Sequence, residues 1–118
     1  MVLHEFINGH FLYVNNHMRY FRFIGTLIHQ IDSGPYGIVY GVTKEHRIYC
    51  RSGISSTKPI GTSWTLVPGA LKYVSCGPFG CWGVNNNDHI YFREGITPTK
   101  RQGVRWTKIP GGLKQLEV

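Results

Sequence analysis

The chain has 118 residues, of which 42% are hydrophobic and 14% aromatic, with 15 glycines and a formal net charge of +7. This is the size of one domain with a real core, and its glycine and aromatic content suits turn-rich β structure. No run approaches the ~18 apolar residues of a membrane-crossing helix, and residues 1–5 lack the basic start and apolar stretch of a secretory leader.

In chain order, Val14-Asn15-Asn16 followed by Tyr20-Phe21-Arg22 echoes a pattern that returns at Val84-Asn85-Asn86 and Tyr91-Phe92-Arg93. Residues 1–27 therefore read as a degenerate partial repeat. Residues 28–37 echo residues 71–80, with Gly34-Pro35-Tyr36-Gly37 matching Gly77-Pro78-Phe79-Gly80. Residues 38–42 and 46–51 are aromatic and β-branched, so they predict two strands joined by the polar turn Thr43-Lys44-Glu45. Residues 52–63, rich in Gly, Ser, Thr and Pro, predict an exposed loop. Residues 64–67 predict a strand, Pro68-Gly69 a turn, and residues 71–75 a further strand. The same series then recurs: strands at 81–84 and 89–93 around an Asn-Asn-Asn-Asp hairpin tip, a loop at 94–105, a strand at 106–109, a Pro110-Gly111 turn and an opening strand at 113–117.

Placed one above the other, residues 41–76 and 83–118 are identical at 16 of 36 positions without a gap, at a spacing of 42. A fixed period of roughly 20–50 residues marks units that cannot bury their apolar faces alone and must stack. Four short strands per unit is the size of a β-propeller blade. The expected fold is all-β, an incomplete ring of about two and a half to three four-stranded blades. Its divisions are 1–27 (partial repeat), 28–70 and 71–112 (repeats) and 113–118 (the start of another).

Catalysis has little support. The chain holds no nucleophile elbow or Gly-rich phosphate loop, and its six acidic residues offer few carboxylate pairs. No spacing joins His17, His46 and His89 into a metal site, and no cofactor is expected. Cys76 and Cys81 bracket a four-residue turn that a bridge would close. With three cysteines and no CxxC, buried free thiols are the plainer reading. Basic residues gather at Lys100, Arg101, Arg105, Lys108 and Lys114, which suits an anionic partner such as a phosphorylated glycolipid, a membrane surface or nucleic acid. No motif that reads nucleic acid is present.

Trp64 and Trp106 recur at one position and are expected between blades. Tyr49/Tyr91 and Arg51/Arg93 alternate with apolar neighbours, so they are expected to be partly exposed, where a phenol and a guanidinium can bind sugar hydroxyls or phosphate; the plainer reading is a stack of each arginine on an aromatic ring of its own blade. Asn85 and Asn86 lie at a hairpin tip, where a propeller meets ligands. Tyr49, Arg51, Asn85, Asn86, Tyr91 and Arg93 are thus the candidate carbohydrate-binding residues.

The order Trp82-Gly83-Val84-Asn85, Ile90-Tyr91-Phe92-Arg93, then Gly103 through Trp106 to Gly112-Leu113-Lys114, resembles the tectonin repeat. That repeat builds the propellers of fish-egg lectins, lipopolysaccharide-binding tachylectins, slime-mould tectonins and intracellular tectonin-repeat proteins. Tyr40 and Thr43 stand where the motif has Trp and Asn. The resemblance implies a non-catalytic, extracellular lectin for microbial or egg-surface glycans, such as lipopolysaccharide or N-acetylglucosamine-type sugars, in innate defence. The alternative it implies is a cytoplasmic scaffold that binds protein or phosphoinositide partners. Related lectins use about six blades, so the chain is expected either to form a homodimer that completes a ring or to be a piece of a longer product.

Overall fold

The computed structural model describes residues 28–112, together with the backbone of two short paired strands, β1 (Leu12–Val14) and β2 (His17–Arg19). The expected strands at Tyr20-Phe21-Arg22 and at 113–117 lie outside the described residues.

The rest is two consecutive antiparallel sheets of four strands. The first is β3 (Ile28–Ser33), β4 (Val39–Thr43), β5 (Ile48–Ser52) and β6 (Ser63–Val67). The second is β7 (Tyr73–Gly77), β8 (Gly80–Val84), β9 (His89–Glu94) and β10 (Arg105–Gly112). Each is an up-and-down meander in chain order, as in a propeller blade, so the fold is all-β and forms part of a β-propeller.

Period-2 alternation explains the packing. Tyr40, Val42, Ile48, Cys50 and Val67 point from one face of the first blade into a core shared with Leu71, Val74, Cys76 and Cys81 of the second. Tyr91, Ile96 and Trp106 close over that core. Burying each such aliphatic side chain is worth about 1.5–3 kcal/mol. The opposite face of the first blade carries a second cluster, Ile28, Ile31 and Val39, covered by Tyr49, Ile54 and Trp64. Gly41 and Gly83 recur because a Cβ there would strike the side chains of Ile28 at 2.6 Å and Leu71 at 2.2 Å.

Polar side chains also lock the two blades. The Gln30 amide donates to the Val74 carbonyl at 2.7 Å, and its oxygen accepts from the Val74 N–H at 2.7 Å. Buried Asp32 accepts from the Cys76 N–H at 2.9 Å and the Ser75 hydroxyl at 3.4 Å. Farther out, the Tyr40 hydroxyl donates to the Arg101 carbonyl and the Arg101 guanidinium donates to the Ile54 carbonyl, both at 2.6 Å.

Two expectations need correction. Cys76 and Cys81 are directly opposed across β7 and β8 and form a disulfide, which leaves Cys50 as the free, buried thiol. The strand register itself brings the pair together, and that register is not readable from a spacing of five. Pro110-Gly111 does not end its strand. It forms an irregularity inside β10, after which Gly112 pairs again with His89.

Candidate functional site

The meander puts the β3–β4 and β7–β8 turns at one end of the blades, with the long loops of residues 53–62 and 95–104. The β4–β5 and β8–β9 turns and the blade connection lie at the other end.

The long loops are ordered copies of each other. Ser55 and Lys58 exchange two backbone hydrogen bonds, as do Thr97 and Lys100, and the N–H groups of Gly61 and Gly103 then bond back to the Lys58 and Lys100 carbonyls. Arg51 and Arg93 hold these loops from beneath. Their Nε atoms donate to the Ile60 and Gln102 carbonyls at 2.9 and 2.8 Å, and their guanidinium groups lie 5.1 and 5.2 Å over the Trp64 and Trp106 rings. The expected exposure of these arginines is therefore overturned: they are 3% and 4% exposed. The strand alternation turns them inward, onto the tryptophans of the neighbouring strand, and burial pulls the Arg51 pKa below its ordinary value.

At the other end, Tyr91, Trp106 and Asn85 line a groove with Gly69, Ala70 and Leu71 from the blade connection. Trp106 wedges between the blades, its Nε1 donating to the Pro68 carbonyl at 2.8 Å and its ring meeting Tyr40 edge-on at 6.5 Å. The Asn85 oxygen is occupied, accepting from the N–H groups of Asn87 and His89 at 3.0 and 2.9 Å, so its NH2 group is left as a donor. Thr43 takes the equivalent place in the first blade, where its hydroxyl accepts from the Arg47 N–H at 3.1 Å. Asp88 and His46 follow in left-handed conformation, and Asp88 also pairs with Lys72 at 2.6 Å.

Of the six expected residues, Asn85 and Tyr91 thus share a groove and Asn86 is exposed beside them. Tyr49 packs with Trp64 on the far face of the first blade, and the two arginines are internal. The expectation missed Tyr36 and Phe79, which stand 76% and 86% exposed on the turns of the loop-bearing end. Their signal was the matching Gly-Pro-aromatic-Gly of the two repeats.

Stacked four-stranded meanders with repeated loops define a repeat protein of the propeller class. The Tectonin domain model matches residues 6–118, and the chain belongs to the tectonin family. Over 55 residues it is 40% identical to the fish-egg lectin of Cyprinus carpio. That match takes in 45% of this chain and 23% of the carp protein, so this chain spans only a small part of its relative's length.

Proposed function

We propose that this chain is a non-catalytic, carbohydrate-binding lectin domain, and that its sugar site is the groove of Tyr91, Trp106 and Asn85. The observation that carries this reading is the pairing of a half-buried indole with a phenol and a side-chain amide that has spare donor capacity, all on one concave surface between blades. An aromatic face suits the apolar face of a sugar ring, while the Tyr91 hydroxyl and the Asn85 NH2 group suit its hydroxyls. Asn86 extends the same rim. Tyr49 and Trp64 repeat the aromatic pair one blade earlier, with Thr43 in the place of Asn85, and a second site of this kind on one rigid body raises avidity on a dense surface. Arg51 and Arg93 serve by holding the loops.

The similarity to a fish-egg lectin supports a glycan ligand, and the reading extends to glycans of microbial or egg surfaces, such as lipopolysaccharide or an N-acetylglucosamine-type sugar. The Cys76–Cys81 bridge supports an extracellular setting, where disulfides persist. The test is titration of Asn85→Asp and Tyr91→Phe with chitooligosaccharide. Asn85→Asp keeps the acceptor for the Asn87 and His89 N–H groups and replaces the NH2 donor by a charged carboxylate oxygen. Each variant should bind about tenfold more weakly, the loss of one good hydrogen bond, at unchanged melting temperature. Undiminished binding in both removes the groove from the site.

A further inference from the structure

We propose a second surface, at the opposite end from the sugar groove: the end bearing Tyr36 and Phe79 docks on an anionic lipid bilayer.

The first observation is where the apolar surface lies. The large hydrophobic side chains exposed among the described residues are Tyr36, Phe79, Val104, Ile60 and Leu66, and all but Leu66 belong to the turns and loops of this one end. Large apolar groups gathered on one surface mark an interaction site rather than chance.

The second is that both aromatics are held out on purpose-built turns. Phe79 rides the tip between the paired Gly77 and Gly80, closed just below by the Cys76–Cys81 bridge. Tyr36 occupies the matching place without a disulfide. There a turn closed by the Gly34 N–H to Ile38 carbonyl bond of 2.8 Å holds Tyr36 at φ 62°, a left-handed conformation unfavourable for a bulky residue. Two different devices thus give one outcome, an aromatic presented to solvent from each blade. Between them runs a groove walled by Pro35, Ile38, Pro78, Ile96 and Pro98.

The third is charge. Lys58 and Lys100 stand exposed at matching points of the long loops of this end. Of the acidic residues among those described, Glu45 and Asp88 lie in the turns of the far end and Asp32 is buried. Glu94 reaches the loop-bearing end but is engaged by Arg105 at 3.2 Å and by the Thr107 hydroxyl. Apolar tips flanked by cations and free of unpaired carboxylates match an interface of acyl chains beneath negatively charged headgroups.

The test is co-sedimentation of the full chain with vesicles of phosphatidylcholine alone and of equimolar phosphatidylcholine and phosphatidylglycerol. We expect binding to the anionic vesicles that weakens with salt, and little to the neutral ones. Phe79→Ser combined with Tyr36→Asn, asparagine tolerating the left-handed turn, should cut binding about tenfold. Lys58→Gln with Lys100→Gln should lower it and flatten its salt dependence. Both variants should melt as the parent does and keep their affinity for chitooligosaccharide. Equal binding to both vesicle types, or parental binding by the aromatic variant, overturns the proposal. So does loss of chitooligosaccharide binding in that variant, which would make the rim a sugar platform, or a fall in its sedimenting mass, which would make it a contact between copies.

Discussion

The guanidinium of Arg93 lies 5.2 Å over the Trp106 ring while its Nε caps the Gln102 carbonyl at 2.8 Å. One side chain therefore clamps the β9–β10 loop above it and the blade-joining indole beside it. Arg93→Ala should destabilise the fold by about 2–3 kcal/mol, because it removes a charged hydrogen bond and a buried cation–π interaction at once. Arg93→Lys should recover little, because an ammonium cannot both stack on the ring and donate in plane. Urea unfolding measures this. A destabilisation below about 0.5 kcal/mol alongside abolished glycan binding would return Arg93 to the sugar site.

Trp106 packs on the inter-blade core and bonds to Pro68. Trp106→Ala should cost about 3–5 kcal/mol and Trp106→Phe about 1–2, since the smaller ring keeps most of the packing and gives up the hydrogen bond. Equal melting of the two variants would show that the ring contributes no packing.

The Cys76–Cys81 bridge closes a short loop between strands that are already paired. Replacing both cysteines by serine should cost about 2 kcal/mol by loop-closure entropy, leaving the sheet folded, as circular dichroism would show. Cys50 should resist thiol reagents until the chain unfolds, because burial pushes its pKa up to about 11. Rapid labelling of the native protein would place that thiol at the surface.

Burial also raises the Asp32 pKa above its ordinary value of 3.8, against the opposing hydrogen bonds from Cys76, Ser33 and Ser75. The folded chain then keeps its proton after the unfolded chain has released it. This contribution to stability is complete below about pH 3.8 and is lost as pH rises through the folded value. Asp32→Asn retains an oxygen for the Cys76 N–H and has no proton to lose. Urea midpoints across mildly acidic pH should fall for the parent relative to this variant, and parallel curves would contradict the assignment.

The strands, the hairpin tips and the stacking of two units were legible in the sequence because period-2 alternation and a fixed repeat report directly on them. The place of Trp106 was legible too, because a large aromatic recurring once per unit is most economically packed between units. The roles of Arg51 and Arg93 were legible only in part: the stack on an aromatic of the same blade was one of two readings, and the grip on the loop carbonyls belonged to neither. A repeated arginine looks the same whether it meets a ligand or a carbonyl of its own loop, and only the direction of the side chain separates the two. The disulfide escaped because it depends on cross-strand register. Tyr36 and Phe79 escaped because aromatics are ordinarily read as core, whereas a turn flanked by glycines turns them outward.

The Gln30–Val74 pair has no counterpart among the described residues, because the position matching Gln30 in the next unit is Tyr73. Chains made of near-copies risk assembling in the wrong order, with a unit docking on its twin from another molecule or skipping a neighbour. A side chain that mimics a stretch of β-ladder, present on one blade and absent from the next, makes the two units non-interchangeable. It tells the second blade which surface to settle on, so the near-identity that lets the repeats share one plan does not blur the sequence in which they assemble.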